Sequence, residues 1–133
     1  MAAAGCNSDT SSPTSPTVTT PTVAEATVSE LFTGVVPVGG YSFYSFTTTL
    51  NGTVRLTLTS VSGAGVPSTV WLGLGIGVPA AEDCVTTTVV NTSAGGAAQI
   101  TGTLAPGVYC AKVYDIGNLF APASVDVTIE HPE

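Results

Sequence analysis

Positive charge is nearly absent from this chain. Among 133 residues only Arg55 and Lys112 are fixed cations, against nine acidic side chains, and the formal net charge is −7 at pH 7. Two isolated cations build no phosphate clamp and no basic groove, so nucleic acid is not an expected partner. Histidine is limited to His131, which excludes a multi-histidine metal site. That residue sits beside Pro132 close to the carboxyl end and is expected to be a frayed terminal side chain, not the base of a Ser–His–Asp site. Long apolar runs are lacking too. The most apolar window, residues 70–81, is interrupted by glycines and a proline, and a spanning helix needs about 20 apolar residues.

Hydrophobic residues nevertheless make up 44% and charged residues 8%, against about a quarter charged in an average soluble domain. The apolar residues therefore read as the core of one domain. Thr and Ser, about a quarter of the chain, supply neutral polarity, and the branched Cβ of Thr favours strands.

Helical periodicity is missing beyond a few positions. Alternation recurs instead between Gly, Pro and Asn punctuation. Eight strands are predicted: 26–32, 41–49, 53–60, 69–76, 85–90, 97–104, 108–115 and 123–130. Asn51-Gly52 between two alternating runs is a hairpin signal. Val54, Leu56 and Leu58 are expected to face inward, as are Val125, Val127 and Ile129. In the seventh run Tyr109, Ala111 and Val113 form the expected core set, with Cys110, Lys112 and Tyr114 outside. Eight short strands with a turn every 8 to 12 residues imply an all-β, two-sheet antiparallel sandwich.

Of three cysteines, Cys84 and Cys110 lie within the strand pattern and Cys6 lies outside it. One Cys84–Cys110 disulfide is the simple pairing; two buried free thiols are the alternative. With Cys110 on the outer set, such a bridge belongs on the outer face or near an edge.

Residues 1–22 are rich in Ser, Thr and Pro and have little to bury. They are expected to form an extended tether ahead of a sandwich domain over 23–133. Ala3-Ala4-Gly5-Cys6 followed by this tether resembles the lipobox remnant of bacterial lipoproteins, with Ala3 where that family usually has Leu. The resemblance implies lipidation at Cys6 and cleavage after Gly5. It also implies a membrane contact made through the lipid anchor alone, in an exported protein of the outer membrane, cell surface or periplasm.

A second resemblance covers most of residues 25–130. Val38-Gly39-Gly40-Tyr41-Ser42-Phe43-Tyr44-Ser45-Phe46-Thr47 looks like the early aromatic strand of bacterial pre-peptidase C-terminal domains. Asn51-Gly52-Thr53-Val54-Arg55-Leu56-Thr57-Leu58 looks like their next strand. Leu104-Ala105-Pro106-Gly107-Val108-Tyr109-Cys110-Ala111-Lys112-Val113 looks like their late Pro-Gly turn and strand. This resemblance implies a jelly-roll-like sandwich that serves exported proteins as an accessory module and not as a catalyst.

Candidate sites are few. Trp71 alternates with Gly73, Gly75 and Gly77. It is expected to pack over those glycines, or alternatively to offer a flat sugar-stacking platform with Tyr41, Tyr114 and Phe120. A carbohydrate or protein ligand is the partner implied by that surface. Glu82, Asp83, Asp115 and Asn118 are candidate oxygen ligands for Ca²⁺, with solvated loop acids as the plainer reading. No other cofactor is expected. The same acids are the remaining stock for hydrolase chemistry, a remote option because adjacent Glu82 and Asp83 do not flank a cleft. Charge-poor, Thr-rich strands also lack the edge charges that block strand addition, so a structural or self-associating subunit is a further alternative.

Overall fold

The computed structural model describes residues 27–133; Cys6 and the Ser/Thr/Pro tether lie outside them. Eight strands follow one another: β1 (Thr27–Val36), β2 (Tyr41–Thr48), β3 (Gly52–Ser62), β4 (Leu72–Ala80), β5 (Asp83–Thr92), β6 (Ile100–Leu104), β7 (Gly107–Tyr114) and β8 (Ala123–Pro132). They form two four-stranded antiparallel sheets, ordered β1-β8-β3-β6 and β2-β7-β4-β5. This is the jelly-roll arrangement, in which the chain passes repeatedly from one sheet to the other.

Only β4 and β5 are neighbours both in the chain and in a sheet. The Asn51-Gly52 expectation is therefore corrected: β2 and β3 belong to opposite sheets and form no hairpin. The inward sets of the two strands, Phe46 and Thr48 against Val54 and Leu56, are all buried in the core between the sheets. Thr48 Oγ1 donates to Leu50 O at 2.9 Å and to Pro132 O at 3.2 Å, which turns the chain across the sandwich.

Alternation sets the core. Val54, Leu56 and Leu58 of β3 meet Val125, Val127 and Ile129 of β8, all 0–1% exposed. Across from them lie Leu72, Leu74 and Ile76 of β4 with Ala111 and Val113 of β7. Tyr109 packs against this cluster half-buried, with its Oη donating to Ala105 O at 2.6 Å across the Pro-Gly turn.

The two long sides of the sandwich differ. Along β1 and β2 the sheets are joined by side chains. The rings of Phe32 and Tyr44 stack at 5.7 Å. Tyr44 Oη donates to Glu30 Oε1 at 2.6 Å, and Glu30 Oε2 lies 2.6 Å from His131 Nε2. His131 corrects the expectation of a frayed terminus. It pairs with Val28 in the β1–β8 ladder, is 3% exposed and stacks on Phe46 at 5.2 Å. Strand pairing to the end of β8 holds it there, which its nearness to the chain end did not reveal. Along β5 and β6 the sheets do not meet. A cleft of about 260 Å³ opens there, with Val54, Ile76, Ile100 and Tyr109 in its walls.

Candidate functional site

The outer face of the β2-β7-β4-β5 sheet gathers most of the residues singled out by sequence. Register places Tyr41 opposite Tyr114, Phe43 opposite Lys112, and Tyr114 opposite Gly73. Tyr41, Phe43, Lys112, Tyr114 and Gly73 thus share one face, opposite to the buried Ala111 and Val113. Trp71 precedes β4 by one residue, is 53% exposed, and its carbonyl accepts from Asn118 Nδ2 at 3.0 Å. The expectation that Trp71 packs over the glycines is corrected. The ring covering Gly73 is that of Tyr114, so close that a Cβ there would collide with it. Thr86 and Val89 cover Gly75 in the same way. With the glycines already covered from β7 and β5, the indole is left open to solvent. Phe120 is 94% exposed on the loop between β7 and β8.

The disulfide Cys84–Cys110 is formed, and both cysteines are buried although Cys110 belongs to the outer set. The reason is a bend in the β4–β5 hairpin. Cys84 pairs with Pro79, while Cys110 pairs with Gly77. In a regular sheet two strand spacings and two residues of rise would separate the cysteine α-carbons by about 12 Å. They are 6.0 Å apart. A register shift between Ile76 and Gly77 marks the bend. Gly77 permits it, because Val85 O and the backbone of Thr86 occupy the space a Cβ would need. β5 therefore crosses the outer face of β4 and brings the hairpin tip against β7.

The tip is also held by polar contacts. Lys112 Nζ forms an ion pair with Asp83 Oδ1 at 2.9 Å and lies 4.3 Å from the centre of the Tyr41 ring and 5.9 Å from that of Tyr114. Tyr41 Oη donates to Glu82 O at 3.2 Å. The hydrogen bond from Lys112, helped by the Cys84 N–H, holds the Asp83 carboxyl below its ordinary pKa. Half of the chain's fixed positive charge is thus placed between two tyrosines. Alternation alone puts Lys112 on the outer face but does not show its pairing with Asp83. The signal was available in its position between Cys110 and Tyr114. Phe43 was also missed; it flanks Tyr41 at 6.2 Å.

Of the four candidate Ca²⁺ ligands, Asp83, Asp115 and Asn118 make other side-chain contacts, and Glu82 makes one through its main-chain carbonyl. Asp115 Oδ1 accepts from the N–H groups of Gly117, Asn118 and Leu119, and Oδ2 accepts from Gly39 N at 2.7 Å. Burial alone would push this carboxyl up; the four backbone donors outweigh it and hold the pKa down. Asp115 is thereby the organiser of the β7–β8 loop. Asp83 serves Lys112, the Asn118 amide serves Trp71, and the Glu82 carbonyl serves Tyr41. Among the described residues no three His, Cys, Asp or Glu side chains form a group able to hold a metal ion.

No family model, curated protein or solved structure matches the chain. The disulfide is characteristic of an oxidising, extracytoplasmic compartment.

Proposed function

We propose that this chain is a non-catalytic, exported binding or accessory module of a bacterial cell envelope. In this reading it resembles pre-peptidase C-terminal domains, is lipid-anchored at Cys6, and meets the membrane through that anchor only. It resides at the outer membrane, the cell surface or in the periplasm. Its ligand surface is the outer face carrying Tyr41, Tyr114 and Trp71, with Phe120 on the adjoining loop. The observation that carries the reading is the aromatic row itself. Tyr41 and Trp71 stay 40% and 53% exposed, with Lys112 over the Tyr41 ring, on a sheet cross-linked by a disulfide. Flat, exposed rings suit the apolar face of a sugar ring. They equally suit a peptide. A glycan array read with wild type and Trp71→Ala tests it. Binding lost in the variant supports a carbohydrate ligand, and identical empty arrays remove it.

Self-association as a structural surface subunit is the second reading. It is supported by one specific feature: from Cys84 to Ala111 the chain carries no charged side chain, and this stretch includes β6 and all but the first residue of β5, two of the four edge strands. Light scattering across protein concentration tests it. A strict monomer speaks against this reading.

A further inference from the structure

The cleft on the β5–β6 side is separate from the aromatic outer face and does not depend on the function proposed for it. It lies between the sheets. Its floor and walls are Val54, Ile76, Ile100, Leu104 and Tyr109, and threonines, among them Thr88 and Thr103, form its rim. Protein interiors are ordinarily filled to the density of organic crystals, so a cleft of this size has a local cause. The register supplies it. Gly102 pairs with the buried, inward-facing Val54, so it occupies an inward position of β6 between Ile100 and Leu104. Nothing lies within 4 Å of where its Cβ would stand. A side chain is thus missing at an inward position of β6 on the side where the sheets stay apart. Across the gap the Thr88 side chain, although paired with the inward Ile76, is exposed.

The chemistry of the lining restricts what can enter. None of its residues is charged, in a protein of net charge −7. A charged group would be desolvated there without a partner. Apolar walls with a hydroxyl rim suit an aliphatic chain that ends in an uncharged polar group. The volume of about 260 Å³ corresponds to about nine water-sized units. Smaller dry apolar cavities already hold benzene-sized guests.

We propose that this cleft is a binding site for a single straight aliphatic chain of about eight carbons with an uncharged polar head, seated over Gly102 with the head among the rim threonines.

Straight-chain alcohols are the probe. Amide shifts of the isotope-labelled full chain are followed during titration with 1-butanol, 1-hexanol, 1-octanol and 1-decanol. Saturable shifts at Thr88, Gly102 and Thr103 are expected, with those at Gly73 and Lys112 unmoved. Affinity should rise about three- to fourfold per methylene and level off near eight carbons. Gly102→Leu, which fills the gap, should abolish the shifts without lowering the melting temperature, and Gly102→Ala should weaken binding in part. The second variant carries the test if the first does not fold. No saturable shift in wild type overturns the proposal, as does equal binding in a folded Gly102→Leu. So do shifts confined to the outer face. Shifts at β5 and β6 that follow protein concentration without alcohol also overturn it, since a second copy of the chain would then be the occupant.

Discussion

The two long sides of this sandwich are built from the same strand chemistry and end in opposite states. On the β1–β2 side a ring stack, a carboxylate and a histidine tie the sheets together. On the β5–β6 side Gly102 and Thr88 stand where bulk would be needed, and the sheets remain apart. The β1–β8 ladder of the closed side runs without a break, whereas the β4–β5 ladder of the open side shifts register between Ile76 and Gly77. Side-chain volume at a few inward positions differs as well. Closure of a jelly roll is therefore decided locally, and each side can be altered without the other.

The largest effect should come from the closed side. Phe32→Ala removes a ring 4% exposed and is expected to cost about 3–5 kcal/mol in chemical denaturation. Ile100→Ala, on a wall that already borders empty space, should cost about 2 kcal/mol. Equal losses would mean that the two sides are packed alike. The disulfide comes next. It fastens β5, the edge strand of the open side, to β7, so a covalent bond stands in for the missing packing. Replacing Cys84 and Cys110 together by Ser should lower stability by about 3.5 kcal/mol on the chain-entropy account. Hydrogen exchange should then quicken in β5 before β1 or β2.

The polar part of the closed side gives a smaller and pH-dependent effect. Burial alone would raise the Glu30 pKa, but hydrogen bonds from Tyr44 and His131 and attraction to His131 hold it below its ordinary value. The same contact raises the Tyr44 pKa. A depressed carboxylate contributes stability that is complete above the unfolded pKa, about 4.3, and lost as pH falls through the folded value. Tyr44→Phe should cost about 1–2 kcal/mol at pH 7, measured by denaturant titration, and the deficit against wild type should shrink at acid pH. The smallest effect has the opposite sign. Gly102→Ala has free space and an unstrained backbone, and should raise stability by about 0.5 kcal/mol; a loss would mean the open side is closed in solution.

Much of this architecture was readable from alternation. The inward faces of β3, β7 and β8 follow from every second residue, and the pairing of Cys84 with Cys110 follows from three cysteines of which one lies in the tail. Long-range features were not readable. Asn51-Gly52 has hairpin chemistry, but its neighbours are separated by the whole core, because the partners of β2 and β3 arrive later in the chain as β7 and β8. His131 looked peripheral in sequence; its burial depends on β1, about a hundred positions away. The aromatic face was half visible. Tyr114 and Lys112 share a face by spacing alone, whereas Tyr41 joins them only through the β2–β7 register. Nor could spacing show that Tyr114, and not Trp71, covers Gly73.

The register of β1 and β8 fixes one more property. Thr27 pairs with Pro132, and Thr48 at the end of β2 touches the same Pro132. Tyr41 begins that strand, seven residues away, which is about 23 Å along it. The described chain therefore enters and leaves at one pole, and the aromatic row lies at the other. The ring-bearing end of the sandwich is thus the one farthest from Thr27 and Pro132, which leaves the aromatic row clear of the strand ends that meet there.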